Sequence, residues 1–268
     1  MAQDDVSTWQ DQLEADLASV SCVRRVLVLR ETSSTQDAAW HACAGGTPTL
    51  VVADRQSSGR GRLGRSWVQG ESGQSGGLGV AATFGFPGLR LEPEALSLGA
   101  GLAAWEACES CLPATLRSTL GLRWPNDVVE RAGRGRKIAG VLIEARDGVV
   151  LVGIGINVLH RDEDFPEMLR GRAASLAMLG VTVPRLRVIR NLLGAVDRAR
   201  ASDAESLAER WRALDTLVGT RRTFEHAGRR VVGTVLNVAP TSHIEVRSDD
   251  GVVHRLESLH TSMVHDAT

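Results

Sequence analysis

The sequence predicts an α+β protein, a mixed β-sheet domain flanked by helices and followed by a small β-barrel. Three observations carry this expectation. Up to residue 215 apolar strand-like runs dominate and helices are inserted singly between them, which suits a mixed sheet better than a doubly wound parallel one. From residue 216 the pattern changes to short alternating strands separated by turns such as "DDG". A chain of 268 residues, 43% hydrophobic and 24% charged, has enough apolar material for one large core and a smaller module.

The elements follow in order. Residues 10 to 19 read as a short amphipathic helix inside an N-terminal extension, 1–24, and "RRVLVLRE" reads as the first strand. "TSSTQDAAWHACA" opens a helix with Ser34 or Thr35 as its cap. "TPTLVVADRQ" is an apolar, β-branched run between turn residues, hence a buried strand. It leads into "SSGRGRLGRSW" and a Gly-rich loop, after which "SGGLGVAATF" is a strand and "PEALSLGAGLAAWEACESCL" a largely apolar helix. "LRWPND" and "KIAGVLIEAR" bracket a turn-rich stretch, and "GVVLVGIGINVL" pairs with the second of them across "RDG". Residues 184 to 214 read as helical, with Val188, Leu192, Leu193 and Val196 on one stripe and an end near Trp211 and Leu214. The expected division is therefore an extension at 1–24, a large domain at 25–215 and a small one at 216–268.

Composition excludes several function classes. A net charge of -1 provides no global basic field of the kind that gives non-specific nucleic-acid affinity. The N-terminal stretch is acidic and has no apolar signal region, and no run reaches the ~18 apolar residues that span a bilayer. A cytoplasmic, membrane-free protein is expected. Of the four cysteines, Cys108 and Cys111 form a C-x-x-C, but no second Cys/His pair completes a zinc site, so both read as small helix residues, as do Cys22 and Cys43.

Four motifs carry chemistry. "GRGRLGR", Gly59 to Arg65, matches G-x-G-x-x-G in form but precedes a loop and a strand instead of opening a helix, which rejects a dinucleotide fingerprint. What remains is a glycine backbone carrying Arg60, Arg62 and Arg65, with Arg55 nearby: either a phosphate clamp or a solvated basic loop. A clamp of this kind is expected to be mobile until it closes over its anion and excludes water. In "RWPND", Pro125 fixes a turn that places Asn126 and Asp127 at a strand end, where a carboxylate can hold Mg²⁺ or orient an amine; the alternative is an Asx-type turn. "GIGIN" alternates glycine with isoleucine, so one face of that strand is bare and something lies against it, and Asn157 at its end can meet a phosphate or a ribose; close strand packing is the alternative. Finally, Lys137 is the only lysine among 31 basic side chains. Lysine is a compact, mobile point charge and arginine a planar fork, so the exception marks either a site that needs an ammonium or a chance survivor.

Taken in order, "SSTQ", "DRQSSGRGRLGRSW", "RWPND", "RKIAGVLIE" and "GIGIN" strongly resemble the biotin protein ligases, from about Arg25 to the C-terminus. The resemblance implies that biotin and MgATP give biotinyl-5′-AMP and pyrophosphate, and that a lysine of a biotin carboxyl carrier protein or domain then takes the biotinyl group. It implies that Ser34, Thr35 and Gln56 bind the ureido end of biotin and that Gly59 and Arg60 close over it. Arg62 would grip the phosphate and carboxylate, Arg65 the pyrophosphate end, and Trp67 would pack by the adenine. Gly140, Gly153 and Gly155 would line the biotin slot, Asn126 and Asn157 would belong to the ATP site, and Asp127 would serve the metal or the acceptor lysine. Lys137 would sit at the junction of biotin carboxylate and α-phosphate, where charge concentrates during displacement and a guanidinium is too wide to follow it. A corollary is that escaping biotinyl-AMP would meet no other lysine on this chain.

The segment between Asp127 and Lys137 is longer than the family's usual one and carries Arg134 and Arg136 as further phosphate or carrier contacts, or as a solvated turn. The C-terminal barrel resembles the family's SH3-like domain by position and strand pattern. About 25 residues before the first strand are too short for a winged helix-turn-helix, so a monofunctional enzyme without DNA binding, monomeric or weakly dimeric, is expected. Two other readings compete. One is a lipoate-type ligase, against which the Arg-rich loop and "RWPND" argue. The other is a non-enzymatic RNA- or nucleotide-binding protein, against which stand the charge, the absence of tyrosine and the 4% aromatic content.

Overall fold

A computed structural model describes residues 5–68, 77–89 and 93–264. In chain order the regular elements are α1 (Trp9–Asp16), β1 (Arg25–Thr32), α2 (Thr35–Ala42), β2 (Thr49–Gln56), β3 (Gly59–Arg60), β4 (Ser66–Trp67), β5 (Gly79–Pro87) and α3 (Pro93–Glu109). There follow β6 (Leu120–Arg123), β7 (Asp127–Glu130), β8 (Lys137–Arg146), β9 (Val149–Asn157), α4 (Arg185–Ala201) and α5 (Ala204–Ala213). The chain closes with β10 (Arg221–His226), β11 (Arg229–Ala239), β12 (His243–Arg247), β13 (Val253–Glu257) and β14 (Thr261–Val264).

The large sheet has seven strands in the order β1-β2-β5-β9-β8-β7-β6. β1 and β2 pair in parallel, as their connection through α2 requires, and every other neighbouring pair is antiparallel. The sheet is therefore mixed, as the singly inserted helices imply. Strand β9 shows how the two faces are used. Val152, Ile154 and Ile156 enter the main core, which includes α3 and α4, while Val149 and Leu151 pack in a smaller cluster with Ala39 and Cys43 under α2. Beyond Leu151 that second face carries Gly153 and Gly155, so the side-chain layer stops where α2 begins. Helix α3 is apolar nearly all round because sheet strands lie on one side of it and α4 and α5 on the other.

The 184–214 segment is two helices, not one. Asp203 interrupts it, its side chain accepting from the Ser206 backbone N–H as the N-cap of α5. The apolar stripe of α4 is buried as expected. After α5 the chain runs along the outer edge of β6, where Leu122 N–H donates to Leu214 O and Thr216 N–H to Leu122 O. Gly121 permits that approach, since a Cβ there would stand 2.5 Å from Thr216 Cγ2. The five-stranded C-terminal sheet is antiparallel throughout, in the order β13-β12-β11-β10-β14, and closes over Phe224, Val235, Ile244, Val246 and Leu256. All four cysteines are buried and free, and burial pushes the Cys22 thiol up to about 12. No helix among the described residues is long and apolar enough to cross a membrane. Most of the Gly-rich loop after Trp67, residues 69–76, lies outside the described residues.

Candidate active site

A cavity of about 530 Å³ opens on the glycine-bearing face of β8 and β9. Its walls come from the N-terminus of α2, the Arg-rich loop, the 123–127 turn, the segment around 165–173 and strand β14. Every residue assigned a site role by resemblance lines it except Gly59, which lines an adjoining pocket.

Lys137 opens β8 and is held at both main-chain ends: its N–H donates to Arg172 O and its carbonyl accepts from Ala174 N–H. Its Nζ lies 2.6 Å from Asp127 Oδ1 and 5.7 Å from the centroid of the Trp67 ring. The other Asp127 oxygen receives Arg123 at 3.2 Å. Burial pushes the Asp127 carboxyl up, but Lys137 and Arg123 outweigh it and leave the group below its ordinary value, so it is a carboxylate at neutral pH. Gly140 is needed for this geometry, because a Cβ there would sit 2.7 Å from Lys137 Nζ. The preceding Trp124–Pro125 peptide is cis, and Asn126 Oδ1 accepts from Ser97 Oγ on α3.

Two side chains of the Arg-rich loop, Arg60 and Arg62, meet acceptors of the protein itself. Arg60 pairs bidentately with Asp37 at 2.7 and 3.0 Å and reaches Glu144 at 3.2 Å. Arg62 donates to the Ser258 carbonyl of the C-terminal sheet at 2.8 Å, and burial lowers its pKa. Gly59 pairs with Trp67 across β3 and β4 and does not face the main cavity, since its own face is filled by the Trp67 carbonyl. Arg136 forms a bidentate pair with Glu130.

At the start of α2, Ser34 caps the helix by accepting from Gln36 N–H. Thr35 donates both its N–H and its hydroxyl to Gln56 Oε1, at 2.7 and 3.0 Å, and accepts from Thr83 Oγ1 at 2.8 Å. These residues form one hydrogen-bonded cluster in the cavity wall. The bare face of β9 is occupied from within the chain. A Cβ on Gly153 would meet the Gln36 amide at 2.9 Å, and one on Gly155 would meet the Trp67 ring at 2.3 Å. Asn157, expected at the nucleotide, is buried, and its amide nitrogen is committed to the carbonyls of Lys137 and Ala174. Its visible work is to hold the start of β8 against residues 172–174.

The cavity also contains residues to which sequence reasoning gave no role: Gln36, Arg123, Arg172 and the β14 residues Thr261, Ser262 and Met263. Gln36 and Arg123 stand inside the quoted motifs and were legible as neighbours; the others lie far along the chain and carry no local signal. No cluster of three or more His, Cys, Asp or Glu side chains suited to a metal occurs among the described residues. One carboxylate is what Mg²⁺ needs when it arrives on a nucleotide's phosphates, because it retains waters and takes few protein ligands. Asp127 is the one carboxylate among the residues lining the cavity, with its two oxygens facing Lys137 and Arg123.

A family model described as the biotin/lipoate A/B protein ligase family matches residues 28–160. Over 246 residues the chain is 30% identical to a biotin–acetyl-CoA-carboxylase ligase of Mycobacterium tuberculosis, covering 87% of this chain and 86% of that one. It is 35% identical over 169 residues to the bifunctional ligase/repressor BirA of Bacillus spizizenii, covering 60% of this chain and 49% of the relative. Among solved structures, the biotin protein ligase of Aquifex aeolicus in complex with biotin and ATP is similar with a TM-score of 0.71 at 25% identity, over 91% of this chain and 100% of that one. The seven-stranded mixed sheet with helices and the separate five-stranded antiparallel sheet match the fold of the solved biotin protein ligase. The chain belongs to the biotin/lipoate A/B protein ligase family.

Proposed function

We propose that this chain is an ATP-dependent biotin protein ligase, which activates biotin as biotinyl-5′-AMP and transfers it to a lysine of a biotin carboxyl carrier domain. The observation that carries the reading is the chain's one lysine, set 2.6 Å from Asp127 in a cavity that also holds Arg62, Arg65 and Arg123. In the first step a biotin carboxylate oxygen attacks the α-phosphorus of MgATP, the mixed anhydride forms and pyrophosphate leaves. Two anionic reactants must approach, and the fixed cations lower that barrier where charge develops. Lys137 serves the junction of carboxylate and α-phosphate, with Arg62 beside it and Arg65 toward the leaving group. Magnesium supplies charge neutralisation on the phosphates when MgATP binds, and Asp127 is the carboxylate placed to hold it. In the second step the acceptor amine attacks the acyl carbon, AMP leaves, and the amine loses its proton. Asp127, ionised at neutral pH, attracts the incoming ammonium by charge.

Ser34, Thr35 and Gln56 form the polar end of the biotin site in this reading, and Trp67 stands by for the adenine. Asn126 and Asn157 act by holding the turn and the start of β8. The division at residues 24 and 215, a monomer or weak dimer, the absence of DNA binding and a cytoplasmic location belong to the same proposal; four free cysteines suit a reducing compartment. The test is biotin-dependent pyrophosphate release from MgATP without acceptor, with mass detection of bound biotinyl-AMP. Turnover with lipoate or octanoate in place of biotin would move the chain to the other branch of its family.

A further inference from the structure

Strands β2 and β5 pair side by side as far as Ala53 and Ala81 and part beyond that point. The chain between the diverging ends carries Gln56, Arg62, Arg65 and Trp67. Where the ladder stops, one buried side chain takes its place. Arg185 Nη1 donates to Asp54 Oδ1 at 2.7 Å and reaches the carbonyls of Asp54 and Gly79, one on each side of the fork, at 3.4 Å. The same Asp54 oxygen accepts from Gly77 N–H at 3.0 Å, so the fork is closed a second time. Glycine is required at residue 77, because a Cβ there would stand 2.0 Å from the Asp54 carbonyl and 2.8 Å from Arg185 Nη1.

Arg185 is the first residue of α4, whose first turn holds no acidic residue, and the helix dipole disfavours a cation at that end. Its guanidinium serves the fork instead, beneath the Trp9 ring of α1, whose centroid lies 4.8 Å from Arg185 Cζ. Arg185 is buried and Asp54 half-buried. A buried ion pair adds little net stability over an apolar pair of the same size, so its use here lies in the geometry it imposes on its partners. Those partners are the two ends of the segment that brings most of the cations to the cavity.

We propose that Arg185 and Asp54 are positioning residues of the ligase reaction. They set the spacing of the fork and, through it, where Gln56, Arg62, Arg65 and Trp67 stand against Lys137. This rests on the ligase reading above, but not on the acid being biotin. Neither residue lines the cavity, so an effect on rate has to pass through the segment they clasp. Misplacing reacting groups by about 1 Å costs on the order of 10²-fold in rate.

The test is single-turnover pyrophosphate release from MgATP and biotin, with the rate at which bound biotinyl-AMP escapes, for the wild-type chain, R185M, R185K, D54N and D54N/R185M. L192A, a truncation in the buried stripe of the same helix, is the control for lost stability, and all are compared below their thermal midpoints. Expected for R185M is a roughly tenfold to hundredfold slower first step and a similarly faster escape. R185K, which keeps the charge without the fork, should fall between R185M and the wild type, and L192A should stay close to the wild type. D54N/R185M should lose no more than R185M alone, because the two residues act as one unit. If folded R185M matches the wild type, or R185K does where R185M fails to fold, or if L192A shows the same loss, the pair is structural and the proposal falls. Wild-type turnover with lipoate or octanoate in place of biotin would overturn the biotin reading alone, and the same variants would then be read on that acyl-adenylate. No acyl-adenylate from any of the three acids would end both.

Discussion

Two carboxylates in this protein each stand between two cations, and they are built for different work. Asp127 lies in the cavity wall between Lys137 and Arg123, with Arg123 nearly inaccessible to solvent. Asp37 lies on the first turn of α2 between Arg60 and Arg146, and more than a third of its side chain is exposed. For Asp127, burial opposes the charge and its partners overcome that opposition; for Asp37, the Arg60 hydrogen bonds are the leading influence and exceed the opposing effect of burial. A buried charge cluster is sensitive to the identity of each member, because loss of one strands the others. An exposed one is screened, and it serves to place a loop.

The largest effect should come from K137R, which keeps the charge and changes its shape. Biotinyl-AMP formation is expected to fall about 10²–10³-fold, the scale of losing one aimed transition-state donor, with the thermal midpoint little changed. Pyrophosphate release in single turnover reads it, and wild-type rates would show that any cation suffices here.

Next comes D127N, which leaves Lys137 and Arg123 without their shared counter-charge. Both partners of the Lys137 pair keep some solvent contact, so the cost is put at about 1–2 kcal/mol by denaturant titration, below the value for a fully buried pair. Its pH dependence has a definite sign. A folded-state pKa below the unfolded value of about 3.9 contributes stability above that pH and loses it as pH falls through the folded value. The gap between wild type and D127N should therefore be full near neutrality and close in acid; a gap that widened in acid would overturn the ion-pair account.

The smallest effect belongs to D37N, which releases Arg60. A stability change of under about 1 kcal/mol is expected, vanishing in 1 M salt, whereas the D127N difference should persist there. Equal salt sensitivity of the two variants would erase the distinction between them.

The sequence located this site better than it described it. The Arg-rich loop, the "PND" turn, the lone lysine and the bare strand are local patterns, and the fold gathers all of them around one cavity. What lies against the bare strand was not readable, because it depends on a helix more than a hundred residues upstream and on an indole carried by the loop. Gly153 and Gly155 make room for Gln36 and Trp67, side chains of the same molecule. The Arg62 contact with Ser258 spans 196 positions, and no periodicity announces it. Asn157 has the chemistry of a ligand contact and a position that commits its amide nitrogen to two carbonyls. In the fold, element types followed from apolar patterning, while the break at Asp203 was missed because a capping residue also suits an exposed helical turn.

The lone lysine also makes the protein its own analytical reagent. An amine-selective acylating agent has one side-chain target in the whole chain, and that target is two-thirds covered by the cavity wall. A lysine-specific endoprotease likewise finds a single bond to cut, after residue 137. The adduct on the peptide that carries residue 137, or cleavage after it, therefore reports on one side chain's surroundings without any engineered label, and protection by each ligand in turn would chart the order in which the cavity fills.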